Sequence, residues 1–417
     1  MISEKSKTKD HDPYQALRHP EFRWFMLGSF ALFVATQIQS VVLGWQVYEL
    51  TKDPLSLGWV GLSEALPFLA LTLVGGHAAD RKDRRWLSMG AQSVLTLGAA
   101  FLLVHSFGTS TKVWPFYAVN VLAGFGRAFY RPASMALSTE LIPKEAYGNA
   151  ATWRSSNFHL ALVIGPALGG LLYGFGSARL AYGVQVALML FSLYSLFKLR
   201  FHPRPPSNEA ISMLKSLQEG IRFVFRQRLL LGAMSLDLFA VLFGGAVALL
   251  PIFASDILKV GPQGLGILRA APAVGSVLVS LWLAHHPPLQ RAGRTLLICV
   301  ALFGLCWIAF ALSTHFGISL ALLVISGATD NVSVVLRATL VQVLTPQEMM
   351  GRVSSVNAFF IGSSNELGAF ESGLAAWLLG VVPSVVFGGL MTLGIVTATA
   401  WKVPELRNLR EIPQSKL

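Results

Sequence analysis

Gly75-Gly76-His77-Ala78-Ala79-Asp80-Arg81-Lys82-Asp83-Arg84-Arg85 separates two long apolar stretches and places four cations in its last five residues. It is too short to hold a domain. A tight basic loop between two segments of membrane-spanning length belongs on the cytoplasmic side of a bilayer. This reading makes the chain a helical membrane protein and gives it an orientation, from which the other segments are counted.

Composition agrees. Of 417 residues, 53% are hydrophobic and 13% charged, whereas soluble domains carry about a quarter charged residues. In lipid the backbone must satisfy its own hydrogen bonds, so the spans are helices. A soluble α/β enzyme would need hydrophilic faces that these runs lack. The net charge of +12 does not imply nucleic acid, because the cations gather in alternate loops as orientation signals do. Cys299 and Cys306 sit within one apolar segment and read as buried free thiols. Met1 to Arg23 is a polar cytoplasmic tail without a signal-peptide core.

Runs of about 20 apolar residues mark spans. Twelve are read, at 24–48, 56–79, 86–106, 114–139, 149–175, 179–198, 229–254, 263–285, 293–313, 316–341, 352–378 and 381–401. With the N-terminus inside, the inner segments hold 24 Lys and Arg, and the outer loops hold only Lys52, Lys112, Arg179 and Lys259. That bias puts both termini in the cytoplasm. The chain divides into a tail (1–23), a six-span half (24–198), a cytoplasmic linker (199–228), a second six-span half (229–401) and a C-terminal tail (402–417). In the linker, His202-Pro203-Arg204-Pro205-Pro206 is stiff and extended. Beyond it Ile211, Leu214, Leu217, Ile221, Val224 and Phe225 recur at helical spacing opposite Lys215, Arg222, Arg226 and Arg228. This predicts an amphipathic helix on the inner membrane surface.

The halves repeat. Pro54-Leu-Ser-Leu-Gly58 opens span 2 and Pro262-Gln-Gly-Leu-Gly266 opens span 8, an offset of 208. Pro143-Lys-Glu145 with Gly148 follows span 4, and Pro346-Gln-Glu348 with Gly351 follows span 10, an offset of 203. Two matches at nearly one offset indicate a duplicated six-helix unit.

The basic loop resembles the loop between helices 2 and 3 of the major facilitator superfamily, with the pattern G-x-x-x-D-R-x-G-R-R. Gly76, Asp80, Arg81, Arg84 and Arg85 fit it, and Asp83 stands in place of the second Gly. An acidic residue there is similar to the siderophore- and macrolide-efflux branch. In span 5, Gly165, Pro166, Gly169 and Gly170 resemble the antiporter motif G-x-x-x-G-P-x-x-G-G, with Ala161 at its first position. The small residues permit close helix approach, and Pro166 frees a carbonyl and bends the helix. The expectation is that span 5 seals the periplasmic side against span 8.

The resemblance implies an all-α membrane protein of twelve transmembrane helices in two pseudo-symmetric six-helix bundles, the major facilitator fold. It also implies a midplane site between the halves, reached by alternating access, with spans 1, 4, 7 and 10 lining the cavity. A charge at membrane depth usually faces a cavity or a partner. Arg127 in span 4 and Asp330 in span 10 are 203 residues apart, at equivalent positions of the halves. They are expected to pair across the cavity or to bind substrate and proton. Asp237 in span 7 joins Asp330 as a candidate protonatable carboxylate, and Gln37, Gln39 and Ser40 place polar groups near the cavity midpoint. Glu64, Glu366 and Glu371, in spans that adjoin in the family, are expected to govern an outer gate, Glu366 also contributing to the cavity. Arg131 and Arg337 are expected to snorkel or gate. The family further implies a latch closing the inner side, in which Asp80 pairs near the start of span 11 and Arg84 or Arg85 reaches Glu140.

No Walker loop, His-box or H-E-x-x-H occurs, and two adjacent histidines, His285 and His286, cannot alone build a metal site. No catalytic residue, metal or cofactor is expected, and the proton gradient is the energy source. The expected partners are a small amphipathic solute and the bilayer, not nucleic acid, with a monomer as the working unit. The sequence thus predicts an exporter in the bacterial inner membrane that exchanges a siderophore or drug-like solute for protons. A lysophospholipid flippase or uncoupled facilitator of the same fold is the second reading, and gives Asp330 and Asp237 no titrating role.

Overall fold

The computed structural model describes residues 12–108, 111–200, 213–286 and 291–409, apart from the side chains of residues 213–217 and of Glu366. The first six long helices are α1 (Pro20–Thr51), α2 (Pro54–Arg81), α3 (Arg84–His105), α4 (Trp114–Glu140), α5 (Tyr147–Phe175) and α6 (Ala178–Lys198). After the surface helix α7 (Met213–Arg226) come α8 (Arg228–Gly244), α9 (Gly261–Ala284), α10 (Ala292–Leu312), α11 (Phe316–Leu344), α12 (Met350–Leu379) and α13 (Val381–Lys402), then the short α14 (Pro404–Arg407). The seventh span continues past α8 through tight turns to Ile257, ending in a π-turn over Phe253–Ile257.

Among the described residues, ten helices are long and apolar enough to cross a membrane. The two other long helices, α4 and α12, match them in length but are diluted by Arg127 and Arg131, or by Arg352, Glu366 and Glu371. An even number of crossings returns the chain to its starting side. That side is called the terminal face here, and the opposite one the distal face.

Local chemistry sets the helix boundaries. Asp53 caps α2, accepting from the Leu55 and Ser56 N–H groups at 3.2 and 3.0 Å, and Pro54 occupies its first turn. Pro262 has the same place in α9. Asp83, which departs from the loop pattern, caps α3 by accepting from the Arg85 and Trp86 N–H groups at 2.9 and 3.1 Å. The acidic residue thus satisfies backbone donors that a glycine would leave to water.

Helices α1–α6 pack as one bundle and α8–α13 as another. The same close approach stands in both. Gly124 of α4 lies against the Glu64 backbone of α2, and Gly327 of α11 lies against the Pro272 backbone of α9. These are equivalent positions under the offsets of 203 and 208. A side chain on either glycine would collide with backbone, so the glycines set the spacing of the two helix pairs.

Helix α7 does not lie on lipid alone. Gly220 abuts the Arg352 carbonyl of α12, Glu219 pairs with Arg352 at 2.5 Å, and Val224 is buried with Met234, Val341 and Val353. Ile221 and Phe225 remain exposed. The helix is therefore docked on the second bundle and turns part of its apolar face outward. Residues 202–206 and Ile211 lie outside the described residues, and the side chains of Leu214, Lys215 and Leu217 lie outside the described side chains.

Candidate functional site

Between the bundles, the close contacts gather one to two turns from the distal helix ends. Gly170 of α5 meets Gly266 of α9, with a Cβ built on Gly170 falling 2.8 Å from the Gly266 Cα. Gly58 of α2 meets Gly373 of α12, where a Cβ built on Gly373 would fall 2.7 Å from the Gly58 Cα. The Trp59 and Phe370 rings meet at a tilt beside this second contact, 5.2 Å apart. The Tyr48 hydroxyl of α1 donates to the Asp256 carboxylate in the distal π-turn of the seventh span. These contacts seal the site at the distal face.

The span-5 motif divides its work. Gly165 and Gly169 face α1, against Gln37 and Ile38, whereas Gly170 faces α9. The motif is a two-sided packing surface that holds α5 to its own bundle and to the opposite one. Gln37 is half-buried against Gly165. Gln39 points the other way, since it accepts from Gln185 at 2.6 Å inside the first bundle. It is therefore not a cavity group. Phe33 meets Phe158 edge-on at 5.4 Å, joining α1 to α5.

The buried charges pair within bundles. Arg127 forms an ion pair with Glu64 of α2, not with Asp330, because the Gly124 contact brings α4 against α2 at that depth. This also corrects the expectation for Glu64: its charge is met by Arg127 and does not repel carboxylates of α12. Arg337 is 3% exposed and pairs with Asp237, so it is locked inside the second bundle instead of snorkelling. Asp330 lies two turns from Arg337 on α11, within electrostatic reach of both Asp237 and Arg337. Two carboxylates therefore share one guanidinium. Glu371 is half-buried, and the Glu366 side chain lies outside those described.

Arg269 of α9 occupies a different setting. It stands three residues on the terminal side of Gly266 and donates from Nη1 to the Ser40 carbonyl of α1 at 3.0 Å, across the bundle boundary. Among the described residues it makes no ion pair. Arg131 lies over the Phe68 ring at 5.3 Å.

At the terminal face Arg84 is the residue that reaches Glu140, and it also donates from Nε to the Ala79 carbonyl at 3.1 Å. Arg85 instead caps the end of α6, donating to the Leu196 and Phe197 carbonyls at 3.0 and 2.5 Å. Asp80 and Arg81 are exposed. Gly76 is half-buried, and it is Gly75 that abuts the Ala128 backbone. The arginine part of the latch is thus internal to the first bundle, and among the described residues Asp80 makes no ion pair with α12. His285 and His286 bond back to the carbonyls of Leu281 and Trp282.

Tyr48 and Asp256 carry no motif that singles them out in the sequence. Their separation of 208 residues is the repeat offset, so they are counterparts of one another that meet where the bundles converge.

The profile of the transmembrane secretion effector family matches residues 11–417. The enterobactin exporters EntS of Shigella flexneri and of Escherichia coli K12 are each 27% identical over 407 residues, covering 95% of this chain and 94% of their own length. A variant of the nucleoside transporter NupG superposes with a TM-score of 0.72 at 14% identity, over 92% of this chain and all of its own. A bacterial homologue of the human lysosomal transporter Spinster, inward-facing and occupied, gives 0.71 at 14% identity over 97% of this chain and all of its own. A D-xylose–proton symporter gives 0.70 at 14% identity, over 94% of this chain and 99% of its own. At these identities the structures speak for the fold: two bundles of six helices in the major facilitator arrangement.

Proposed function

The chain belongs to the transmembrane secretion effector family of major facilitator transporters, and from that premise we propose that it is a proton-coupled exporter of the bacterial inner membrane, with both termini cytoplasmic. Its substrate is an amphipathic organic solute of siderophore or drug-like type. The observation that carries this reading is the likeness to enterobactin exporters over 95% of the chain. The distal seal supports it, because a site closed distally is one that loads from the terminal, cytoplasmic side.

Alternating access follows from the seal's construction. Each half of it is a contact between helices of opposite bundles, so rocking the bundles breaks both together. The ion pairs Arg127–Glu64 and Arg337–Asp237 each lie inside one bundle and need not separate during that motion.

Charge balance selects the proton carrier. In the first bundle, Glu64 and Arg127 cancel. In the second, the cluster of Asp237, Asp330 and Arg337 carries one negative charge in excess. One proton neutralises that cluster, which is the favoured state at membrane depth. Asp330 is the carboxylate without an ion-pair partner of its own, and we assign the exchangeable proton to it. Substrate leaves as a proton enters from the distal side.

Everted vesicles with an acidified lumen and a pH-sensitive dye test the reading. Enterobactin, macrolides, cationic dyes and lysolipids are added singly. Substrate-triggered alkalinisation of the lumen, abolished in Asp330→Asn, is the expected result. Solute accumulation without any proton movement would replace antiport with uncoupled transport, and movement of lysolipid alone would replace export with flipping.

A further inference from the structure

At the terminal face, Arg291 and Arg294 at the start of α10 and Arg407 at the end of α14 line a cavity of about 180 Å³, completed by Asn408 and Leu409. The two segments are joined firmly. The Gly293 N–H donates to the Leu409 carbonyl at 3.2 Å, and Gly293 lies against the Leu406 carbonyl so closely that no side chain would fit. Arg291 holds a left-handed backbone, φ 60°, which is unfavourable for a residue with a Cβ. The arrangement is thus imposed by the packing and holds the two chain segments in fixed register.

Orientation signals alone would scatter cations over this face. Five of them meet an acceptor instead. Arg18 pairs with Asp12 at 2.8 Å, Arg84 with Glu140, and Arg352 with Glu219. Arg228 lies 3.9 Å from Glu405, and Arg85 caps α6. Arg291, Arg294 and Arg407 make no ion pair among the described residues. All three are exposed. Three guanidinium groups around one cavity repel one another, and an anion between them reverses the sign of that interaction. Their planar forks match phosphate oxygens. Trp401, 78% exposed at the end of α13, belongs to the class of side chains that sit at headgroup level. With Trp401 in that role, the cavity, six residues further along the chain at Arg407, would sit at the depth of lipid phosphates.

We propose that this pocket binds a phosphate group, supplied by the headgroup of an anionic phospholipid. Bound there, the phosphate ties the end of the last span to the start of α10.

The full-length protein, purified in neutral detergent, is titrated with phosphatidylglycerol, phosphatidylcholine or inorganic phosphate. Binding is read by native mass spectrometry and by the shift in melting temperature. The pocket variant Arg291→Gln/Arg407→Gln is compared with Arg81→Gln/Lys82→Gln, which removes the same charge from an exposed loop on the same face. At about fivefold per arginine lost, phosphatidylglycerol binding to the pocket variant should weaken roughly 25-fold, while the loop variant stays near wild type. Arg291→Lys/Arg407→Lys, which keeps the charge and the fold but loses the fork, should fall between. Inorganic phosphate that binds wild type, fails on the pocket variant and does not compete with phosphatidylglycerol would assign the site to free phosphate. Equal weakening in the pocket and loop variants, or equal affinity for phosphatidylglycerol and phosphatidylcholine with no response to phosphate, would overturn the proposal.

Discussion

Gly170 and Gly266 lie backbone to backbone at the distal end of the bundle boundary, and the repeat reproduces that contact as Gly373 against Gly58. Position 266 is 58 plus one repeat offset, and position 373 is 170 plus the other. Duplication of one contact between two helices has therefore built both sides of the distal seal. A side chain at either contact meets backbone, which cannot give way as a flexible side chain would. Gly170→Val or Gly266→Val should cost the sealed state about 1–3 kcal/mol, shifting its population roughly 5- to 150-fold. Spin labels on Lys52→Cys and Lys259→Cys, at the distal ends of α1 and the seventh span, should report a longer distance in these variants. An unchanged distance with normal transport would show that the seal lies elsewhere.

The cluster Asp237–Arg337–Asp330 predicts non-additive stability. Removing Arg337 alone leaves two carboxylates without their cation in the second bundle. Breaking a buried pair by deleting one partner costs about 3–5 kcal/mol. Arg337→Met should therefore lower the melting temperature sharply, and Arg337→Met/Asp237→Asn should recover part of the loss, with a coupling of about 0.5–3 kcal/mol. Additive effects in the cycle would mean that the pair is not a unit. Asp330→Asn, by contrast, removes no ion-pair partner. It should leave stability near wild type and abolish the response of transport to an imposed pH gradient.

The terminal-face loop separates into a permanent part and a mobile part. Arg84 and Glu140 belong to one bundle and are joined in this distally sealed state. Their pairing is an anchor that keeps the loop in place. Asp80 is exposed at the end of α2, free to find a partner when the terminal ends of the bundles approach. Asp80→Asn should then abolish transport while leaving expression and melting temperature unchanged. Arg84→Glu should damage both, with recovery in Arg84→Glu/Glu140→Arg. Normal turnover in Asp80→Asn would remove it from the latch.

Sequence reading captured what depends on depth and missed what depends on azimuth. Spans, loops and repeat offsets are legible because apolar run length and Lys/Arg bias follow from the bilayer itself. Arg127 and Asp330 were placed at equivalent depth in the two halves, which invites pairing across the cavity. Depth does not say which way a helix is turned, and the Gly124 contact turns Arg127 toward Glu64. The same gap put Gln39 in the cavity, although it faces Gln185. The span-5 glycines were legible as a packing motif. That Gly165 and Gly170 serve different neighbours was not, since a spacing of five residues does not name the helix on either side. Tyr48 and Asp256 carried a signal in their offset of 208, and it became readable only when the repeat was applied to polar residues as well as to glycine and proline.

Arg269 is a half-buried cation at membrane depth that makes no ion pair among the described residues. Arg127 and Arg337 are neutralised by Glu64 and Asp237, which leaves neither free for an anionic solute. Arg269 spends Nη1 on the Ser40 carbonyl, and a carbonyl offsets only part of the cost of a cation at membrane depth. It stands just inside the seal formed at Gly266, where a solute entering from the terminal face would come to rest. An anionic group bound there would gain a charge-assisted hydrogen bond worth about 1.5–3 kcal/mol. Arg269→Gln should then raise KM for anionic substrates about 10- to 150-fold and leave KM for neutral substrates near wild type, with Arg269→Lys between. Initial rates in everted vesicles, taken over a concentration series for one anionic and one neutral substrate, give the comparison. If Arg269 serves only to clamp α9 to α1 through Ser40, the variant will lower kcat for both substrates alike. A split in KM by substrate charge is the outcome that a clamp cannot produce.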